Sequence, residues 1–123
     1  MKHDVSTNED IRQVVLLFYD KVKQDALLKS YFTEIIPIDW ERHIPIMCSF
    51  WENVLFYTGN FNGNPLSTHK RIHLLKQTNA THFEQWLFLF YQSIDELYIG
   101  KNAEKMKTHA ASIAQIMQLK IKL

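Results

Sequence analysis

Residues 11–22 have the sequence Ile-Arg-Gln-Val-Val-Leu-Leu-Phe-Tyr-Asp-Lys-Val, and their apolar side chains recur at intervals of three and four residues. This is the period of an α-helix that buries one face. Ser6 and Glu9 have capping-box spacing, so we predict that the helix starts directly behind them. We expect it to continue or break near Asp25. The buried stripe consists of Ile11, Val14, Val15, Phe18 and Val22.

A second helical stripe follows Pro37, and Asp39 is the N-cap that its sequence predicts. Pro45 lies six residues after this cap and removes one backbone hydrogen bond. We therefore expect either a kink or a helix that starts nearer His43. The stripe consists of Trp40, His43, Met47, Phe50, Trp51, Val54 and Leu55.

The middle of the chain is rich in Asn and Gly. Residues 57–65 combine these turn-forming types and predict a surface loop. A short helix is expected behind the loop. Its apolar and imidazole residues are Leu66, His69, Ile72 and His73.

Two further helices are predicted in the last third of the chain. Thr81 and Glu84 form a second possible capping box, and Gly100 is well placed to end the helix behind it. All three glycines and all three prolines lie between Pro37 and Gly100, and no strand pattern competes, so we predict an all-α fold. The two stripes are Phe83, Trp86, Leu87, Phe90, Ile94 and Leu97, and Ala103, Met106, Ala110, Ile113, Ala114 and Met117.

Length and composition limit the classes of function that the chain can have. The 123 residues, 46% of them hydrophobic, predict one folded domain over residues 1–123. A formal charge of +1 without a basic block makes nucleic acid an unlikely partner. The longest apolar run, residues 86–91, is far shorter than the roughly 18 residues of a membrane span. With Cys48 as the single cysteine and no signal-type segment at the start, we expect a cytoplasmic protein.

The candidate functional residues of the sequence are histidines and aromatic residues. Gly-rich phosphate loops, cysteine pairs and nucleophile elbows are absent. His43 lies on a predicted buried stripe, where a core imidazole bonded to a backbone carbonyl is the more common explanation. His69 and His73 are four residues apart and can face one direction, but that spacing alone is a weak metal signal. Tyr19 and Trp86 are each more often core residues, yet together with the histidines they are typical of a cofactor pocket.

The chain resembles the group III branch of the truncated haemoglobins over nearly its whole length. The order and spacing of four stretches carry the resemblance and are more specific than any single motif. The glycine-glycine pairs typical of groups I and II are missing, which fits group III. The stretches are Phe18-Tyr19-Asp20-Lys21-Val22; Trp40 and His43 followed by Phe50-Trp51-Glu52-Asn53-Val54-Leu55; Tyr57-Thr58-Gly59-Asn60 through Asn64-Pro65-Leu66 to His69; and His82-Phe83 leading into Trp86-Leu87.

The resemblance implies a globin-like two-over-two helical sandwich around haem b, iron protoporphyrin IX. It implies that His69 is the axial iron ligand, with its other ring nitrogen donating to an acceptor such as a backbone carbonyl. His73, one turn later, is the competing ligand. Tyr19, His43 and Trp86 match the polar distal set of the family. Hydrogen bonds from a phenol and an indole to iron-bound oxygen would slow its release and predict high affinity.

The resemblance also implies roles for residues around this pocket. By this resemblance, the His43 side chain would act as a gate. It would swing between the pocket and solvent, or approach the iron when no gas is bound. Arg42, Lys70 and Arg71 are near enough in sequence to meet the haem propionates. The apolar wall that excludes water from the iron would consist of Phe32, Met47, Phe50 and Trp51.

Three functions remain open at this point. The first is reversible binding of dioxygen, nitric oxide or carbon monoxide, with oxygen transport as one possible role. The second is a haem enzyme that dioxygenates nitric oxide or cleaves peroxide, with a reductase as its partner. The third is a haem-free helical interaction module in which the histidines are structural. The sequence does not predict an oligomeric state.

Overall fold

The computed structural model describes residues 2–29, 40–56 and 80–122, and every regular element in these ranges is an α-helix. The all-α prediction is therefore confirmed for the described chain. The loop and the short helix predicted between residues 57 and 73 lie outside it. The helices are α1 (Asn8–Gln24), α2 (Trp40–Phe56), α3 (Ala80–Leu97) and α4 (Lys101–Lys122).

The capping box of α1 lies one residue later than predicted. Thr7 is the N-cap, and its Oγ1 accepts a 3.1 Å hydrogen bond from the backbone N–H of Asp10. The Asp10 carboxylate in turn accepts from the backbone N–H of Thr7 at 3.1 Å and of Ser6 at 3.0 Å. The Ser6 and Glu9 box is therefore wrong, because an aspartate at the third helical position serves Thr7 as well as a glutamate would. The helix ends at Gln24, as the expected break near Asp25 requires.

Helix α2 runs through Pro45 without interruption. The alternative in which it starts nearer His43 is wrong, since the helix already includes Trp40. The Pro45 side chain is exposed, so the carbonyl that loses its partner lies on the outer side of the helix. Burial of the opposite side against α1 outweighs this one lost bond.

The most buried face of α2 includes Trp51 and Leu55, as predicted, but in the first half of the helix it lies one residue later than the predicted stripe. Its buried members are Ile44, Cys48, Trp51 and Leu55. The side chains one position earlier are only half-buried, which gives α2 a second apolar stripe beside the buried one. This half-buried stripe consists of His43, Met47, Phe50 and Val54.

A segment at the N-terminus holds the junction between α3 and α4. The Asp4 carboxylate accepts hydrogen bonds of 2.9 Å from the backbone N–H groups of Asn102 and Ala103, in the first turn of α4. Gly100 precedes that turn with φ +146°, and a Cβ there would collide with the Asp4 side chain. The predicted end of α3 near Gly100 is confirmed, since α3 stops at Leu97. Its start differs: α3 begins at Ala80, so Thr81 lies inside the first turn and the second predicted capping box is wrong.

The four described helices pack as two pairs that contact each other. Helix α1 packs on α2 and α3 packs on α4, while α1 also contacts α3 and α2 contacts α4. One core fills the space between the pairs, with Phe90, Ile11, Ile94 and Met106 among its largest fully buried side chains. No helix in the described ranges has the length and apolar composition that a bilayer crossing needs.

Candidate functional site

The contact between α1 and α2 brings two predicted site residues together. Tyr19 on α1 is only 8% exposed, and His43 on α2 is half-buried. The Nε2 atom of His43 and the hydroxyl oxygen of Tyr19 share a hydrogen bond of 2.9 Å. Their rings meet edge to face, with centroids 5.1 Å apart. One ring nitrogen of the imidazole that the sequence places on a buried stripe therefore bonds a phenol.

Burial disfavours the charged form of both members of this pair. It raises the pKa of Tyr19 far above its usual range, with a smaller contribution from Cys48. The loss of hydration on burial lowers the pKa of His43 below its usual value. A phenol and a neutral imidazole can form this bond in two ways, and the tautomer of His43 decides which of them donates. When Nε2 carries the hydrogen, it donates to the Tyr19 oxygen; in the other tautomer, the Tyr19 hydroxyl donates to Nε2.

Trp40 covers the outer side of the Tyr19–His43 pair. Its ring centroid lies 5.1 Å from that of Tyr19 and 5.8 Å from that of His43. The ammonium group of Lys23 stands 4.2 Å from the Trp40 centroid, within cation–π distance. A groove of about 380 Å³ between α1 and α2 has Tyr19 and Trp40 in its lining. This groove reaches the Tyr19 side of the Tyr19–His43 pair from solvent.

Trp86 joins the same cluster through Phe18. Phe18 is 3% exposed, and its ring lies 5.0 Å from Tyr19 and 5.7 Å from Trp86, meeting the indole edge to face. Trp86 itself is half-buried on α3. One phenyl ring therefore separates the Tyr19–His43 pair from the third polar residue of the predicted distal set.

An aromatic stack extends from Trp86 across the core. The Phe90 ring is nearly parallel to Trp86, at 5.9 Å and 5°, and to Trp51, at 5.1 Å and 19°. Trp51 also meets Phe50 edge to face at 5.0 Å. His109 of α4 approaches both of these rings at 5.8 Å. We call Trp86, Phe90 and Trp51 the aromatic stack.

The sequence reasoning missed two residues of this region. From the sequence, Phe90 was predicted only as a residue of the core stripe, and no role was predicted for His109. The helical spacing of each residue could have indicated its position. Phe90 follows Trp86 by four residues and so lies on the same face of α3, and His109 follows Met106 by three and precedes Ile113 by four, which places it beside the buried face of α4.

Other predicted site residues take simpler positions. Met47 is half-buried and packs against the core, whereas Arg42 is exposed on α2. Cys48 is a buried free thiol, and burial raises its pKa. Within residues 2–29, 40–56 and 80–116, no group of three His, Cys, Asp or Glu side chains could hold a metal ion. The predicted residues Phe32, His69, Lys70, Arg71 and His73 lie outside the described residues.

Comparison with known proteins gives one curated relative and one solved structure. No protein-family profile matches the chain. The sequence is 31% identical over 120 residues to a group 3 truncated hemoglobin of Campylobacter jejuni, an alignment that covers 95% of this chain and 89% of the relative. The fold matches the crystal structure of a group III truncated hemoglobin from Campylobacter jejuni with a TM-score of 0.84 and 30% identity. That match covers 98% of this chain and 95% of the other.

Proposed function

The chain belongs to the group III truncated haemoglobins, and on that premise we propose that it reversibly binds dioxygen or another diatomic gas at a haem iron ligated by His69. Membership makes it a globin-type haem protein with an all-α, globin-like fold. It favours the haem hypothesis over the haem-free interaction module. We propose haem b as the cofactor and residues 1–123 as one globin domain.

The described side of the site fits such a cofactor. The half-buried stripe of α2 presents Met47, Phe50 and Val54 in line with the His43 imidazole. A flat apolar macrocycle lying along this stripe would remove these three side chains from water, which is favourable. Burial disfavours the charged forms of the two polar groups near it, Tyr19 and His43, which suits them to a pocket that excludes water. Trp51 packs behind the stripe and supports it.

The Tyr19–His43 hydrogen bond is the single observation that carries the proposed ligand chemistry. Iron in haem supplies the gas-binding site, and bound oxygen gains partial negative charge. A donor held in a water-poor pocket stabilises that charge more strongly than one in bulk water. Tyr19 can give its hydroxyl hydrogen to the ligand when His43 donates to the Tyr19 oxygen. Trp86 supplies a second donor, its indole N–H.

The proximal assignment derives from the family resemblance. His69 would bind iron through its outer ring nitrogen, and its other nitrogen would donate to an acceptor such as a backbone carbonyl. His73 is the alternative ligand one turn away. Arg42, Lys70 and Arg71 would be the propionate partners, and the exposure of Arg42 is compatible with that role.

The partner and the compartment are further parts of the proposal. A reductase would be needed wherever bound oxygen is consumed and the iron must return to its ferrous form. Rapid loss of the oxygen complex on addition of nitric oxide, sustained by a reductase, would distinguish an enzyme from a reversible binder. We propose a cytoplasmic location because Cys48, the one cysteine, is a buried free thiol.

The test is optical and uses the whole chain loaded with hemin. We expect visible absorption bands in the ferrous form that shift with dioxygen and with carbon monoxide. His69→Ala should lose or badly weaken haem retention, whereas the matched variant His73→Ala should retain haem. Haem loss in His73→Ala together with retention in His69→Ala would exchange the two roles. A protein that stays colourless with added hemin would contradict the proposal and favour the interaction module.

A further inference from the structure

The chain has three tryptophans, and two of them belong to the aromatic stack. Trp86 and Trp51 each lie nearly parallel to the Phe90 ring, at 5.9 and 5.1 Å between centroids. Parallel π-systems in close contact are good mediators of electron transfer. The stack therefore couples an indole in the proposed distal pocket to a second indole on α2.

Two of the three rings of this stack lie away from water, and packing holds them in place. Phe90 is 2% exposed and Trp51 is 5% exposed. The Phe18 ring meets Phe90 edge to face at 5.1 Å and Trp86 at 5.7 Å, so one side chain braces both rings. Fixed geometry and low hydration both reduce the reorganisation that accompanies removal of an electron.

An imidazole lies at the far end of the stack. His109 meets the Trp51 ring at 5.8 Å and an interplanar angle of 75°. Burial, and next to it the charge of Lys105, lower the pKa of His109 below its usual value. This direction disfavours a positive charge on the imidazole beside Trp51.

The third tryptophan has the opposite environment. The ammonium group of Lys23 stands 4.2 Å from the Trp40 ring centroid. A positive charge at this distance stabilises the neutral ring and opposes a second positive charge on it. Removal of an electron from Trp40 is thus disfavoured, although Trp40 is adjacent to Tyr19 and His43.

We infer that the aromatic stack is an electron relay that draws oxidising equivalents out of the haem pocket when hydrogen peroxide reacts there, with Trp51 as the terminal donor. This inference rests on the proposed function. The O–O bond of hydrogen peroxide would break with uptake of two electrons, both hydrogens of the peroxide leaving in one molecule of water and the second oxygen atom staying with the haem group. One electron would come from the haem group and the other from Trp86. Trp51 would then reduce Trp86 through Phe90, which leaves an indole radical cation on Trp51.

The experiment treats ferric, haem-loaded protein with one equivalent of hydrogen peroxide. Freeze-quenched samples are examined by electron paramagnetic resonance, with ring-deuterated tryptophan or ring-deuterated tyrosine in parallel preparations. Peptide mass spectrometry then maps oxygenated tryptophan. We expect a radical signal that narrows only with deuterated tryptophan, and oxygenated product at Trp51 with none at Trp40.

Variants test each part of the relay. Trp51→Phe should lose the tryptophan radical signal when it is compared with wild type at equal haem loading. Phe90→Leu should shift the oxygenated product from Trp51 to Trp86, because the bridging ring is gone. Trp40→Phe is the matched control and should leave the tryptophan signal unchanged. If Phe90→Leu does not fold, comparison of Trp51→Phe with Trp40→Phe still shows whether Trp51 is the tryptophan that is oxidised.

Several outcomes overturn the inference. A tyrosyl signal from Tyr19 with Trp51 unmodified would place the oxidised residue in the Tyr19–His43 pair. Unchanged Trp51 product in folded Phe90→Leu would show that the stack is not the path. Haem-loaded protein without a tryptophan signal contradicts the relay alone. A chain that never acquires haem bands contradicts the proposed function and, with it, the relay.

Discussion

Tyr19 and His43 share one hydrogen between two neutral rings, and the tautomer of the imidazole decides which way it points. This bond depends on one residue from each of two helices. Tyr19 lies at the edge of the α1 stripe and His43 on the half-buried stripe of α2, so a small change in how the helices cross would separate them. The strength of ligand binding should therefore depend on single atoms of these side chains.

Loss of either distal donor should accelerate oxygen release. Tyr19→Phe and Trp86→Phe keep the ring volume and remove one hydrogen-bond donor each. A hydrogen bond to a charged acceptor contributes about 1.5–3 kcal/mol, so we expect oxygen dissociation to rise roughly ten- to hundredfold. Stopped-flow displacement of oxygen by carbon monoxide measures the rate. An off-rate equal to wild type in both variants would refute the distal assignment, and the visible spectrum of each variant checks that haem is retained.

At the scale of helices, the start of α1 offers a direct comparison between neighbouring hydroxyl residues. Thr7 caps the helix, whereas the exposed Ser6 hydroxyl only donates to Asp10 at 3.2 Å. Thr7→Ala should lower the free energy of unfolding by about 1 kcal/mol, and Ser6→Ala by much less. Urea denaturation followed by circular dichroism measures both. Equal losses in the two variants would indicate that the predicted box at Ser6, and not the observed one, is formed in solution.

This example shows which features of the helices were predictable. The buried stripe of α1 is confirmed at all five predicted positions. It was predictable because the order of apolar residues in the sequence follows the 3.6-residue period of a helix. The cap was misplaced by one residue since Ser6 and Thr7 are equally good N-caps. Passage of α2 through Pro45 is a tertiary effect: packing on α1 keeps the helix continuous where local preference favours a break.

The candidate site was predictable to a different degree. Tyr19, His43 and Trp86 were found through the family resemblance, and spacing alone left each of them an ordinary core residue. Their pairing through Phe18 and through the 2.9 Å hydrogen bond depends on helix crossing, which no local pattern contains. His109 was missed for the same reason, since its neighbours are 58 and 59 positions earlier in the chain, at Trp51 and Phe50.

At the scale of the whole molecule, Tyr98 joins the beginning of the fold to its second half. Its hydroxyl donates to the Asp10 carboxylate at 3.2 Å, across 88 residues of chain. Burial, and next to it the negative charge of Asp10, raise the pKa of Tyr98 to about 12 from its ordinary value of 10.0. The phenol thus stays protonated in the folded state under conditions where the unfolded chain has already ionised.

The raised pKa predicts how stability changes in alkali. Above pH 10 the unfolded chain binds fewer protons at this tyrosine than the folded chain does, so the free energy of unfolding falls as pH rises. The contribution is fully present below pH 10 and is lost by about pH 12. Tyr98→Phe should reduce the slope of stability against pH in this window. Denaturant titrations at several pH values measure it, with Tyr91→Phe as the control, and equal slopes for wild type and Tyr98→Phe would contradict the prediction.

The Asp4 carboxylate at the first turn of α4 has a consequence for the order of events during synthesis. The ribosome makes this aspartate nearly a hundred residues before its partners, Asn102 and Ala103. The segment around Asp4 must therefore wait until the start of α4 has emerged. Its docking at the junction of α3 and α4 is then a late event, in which residues translated well before α4 secure that helix.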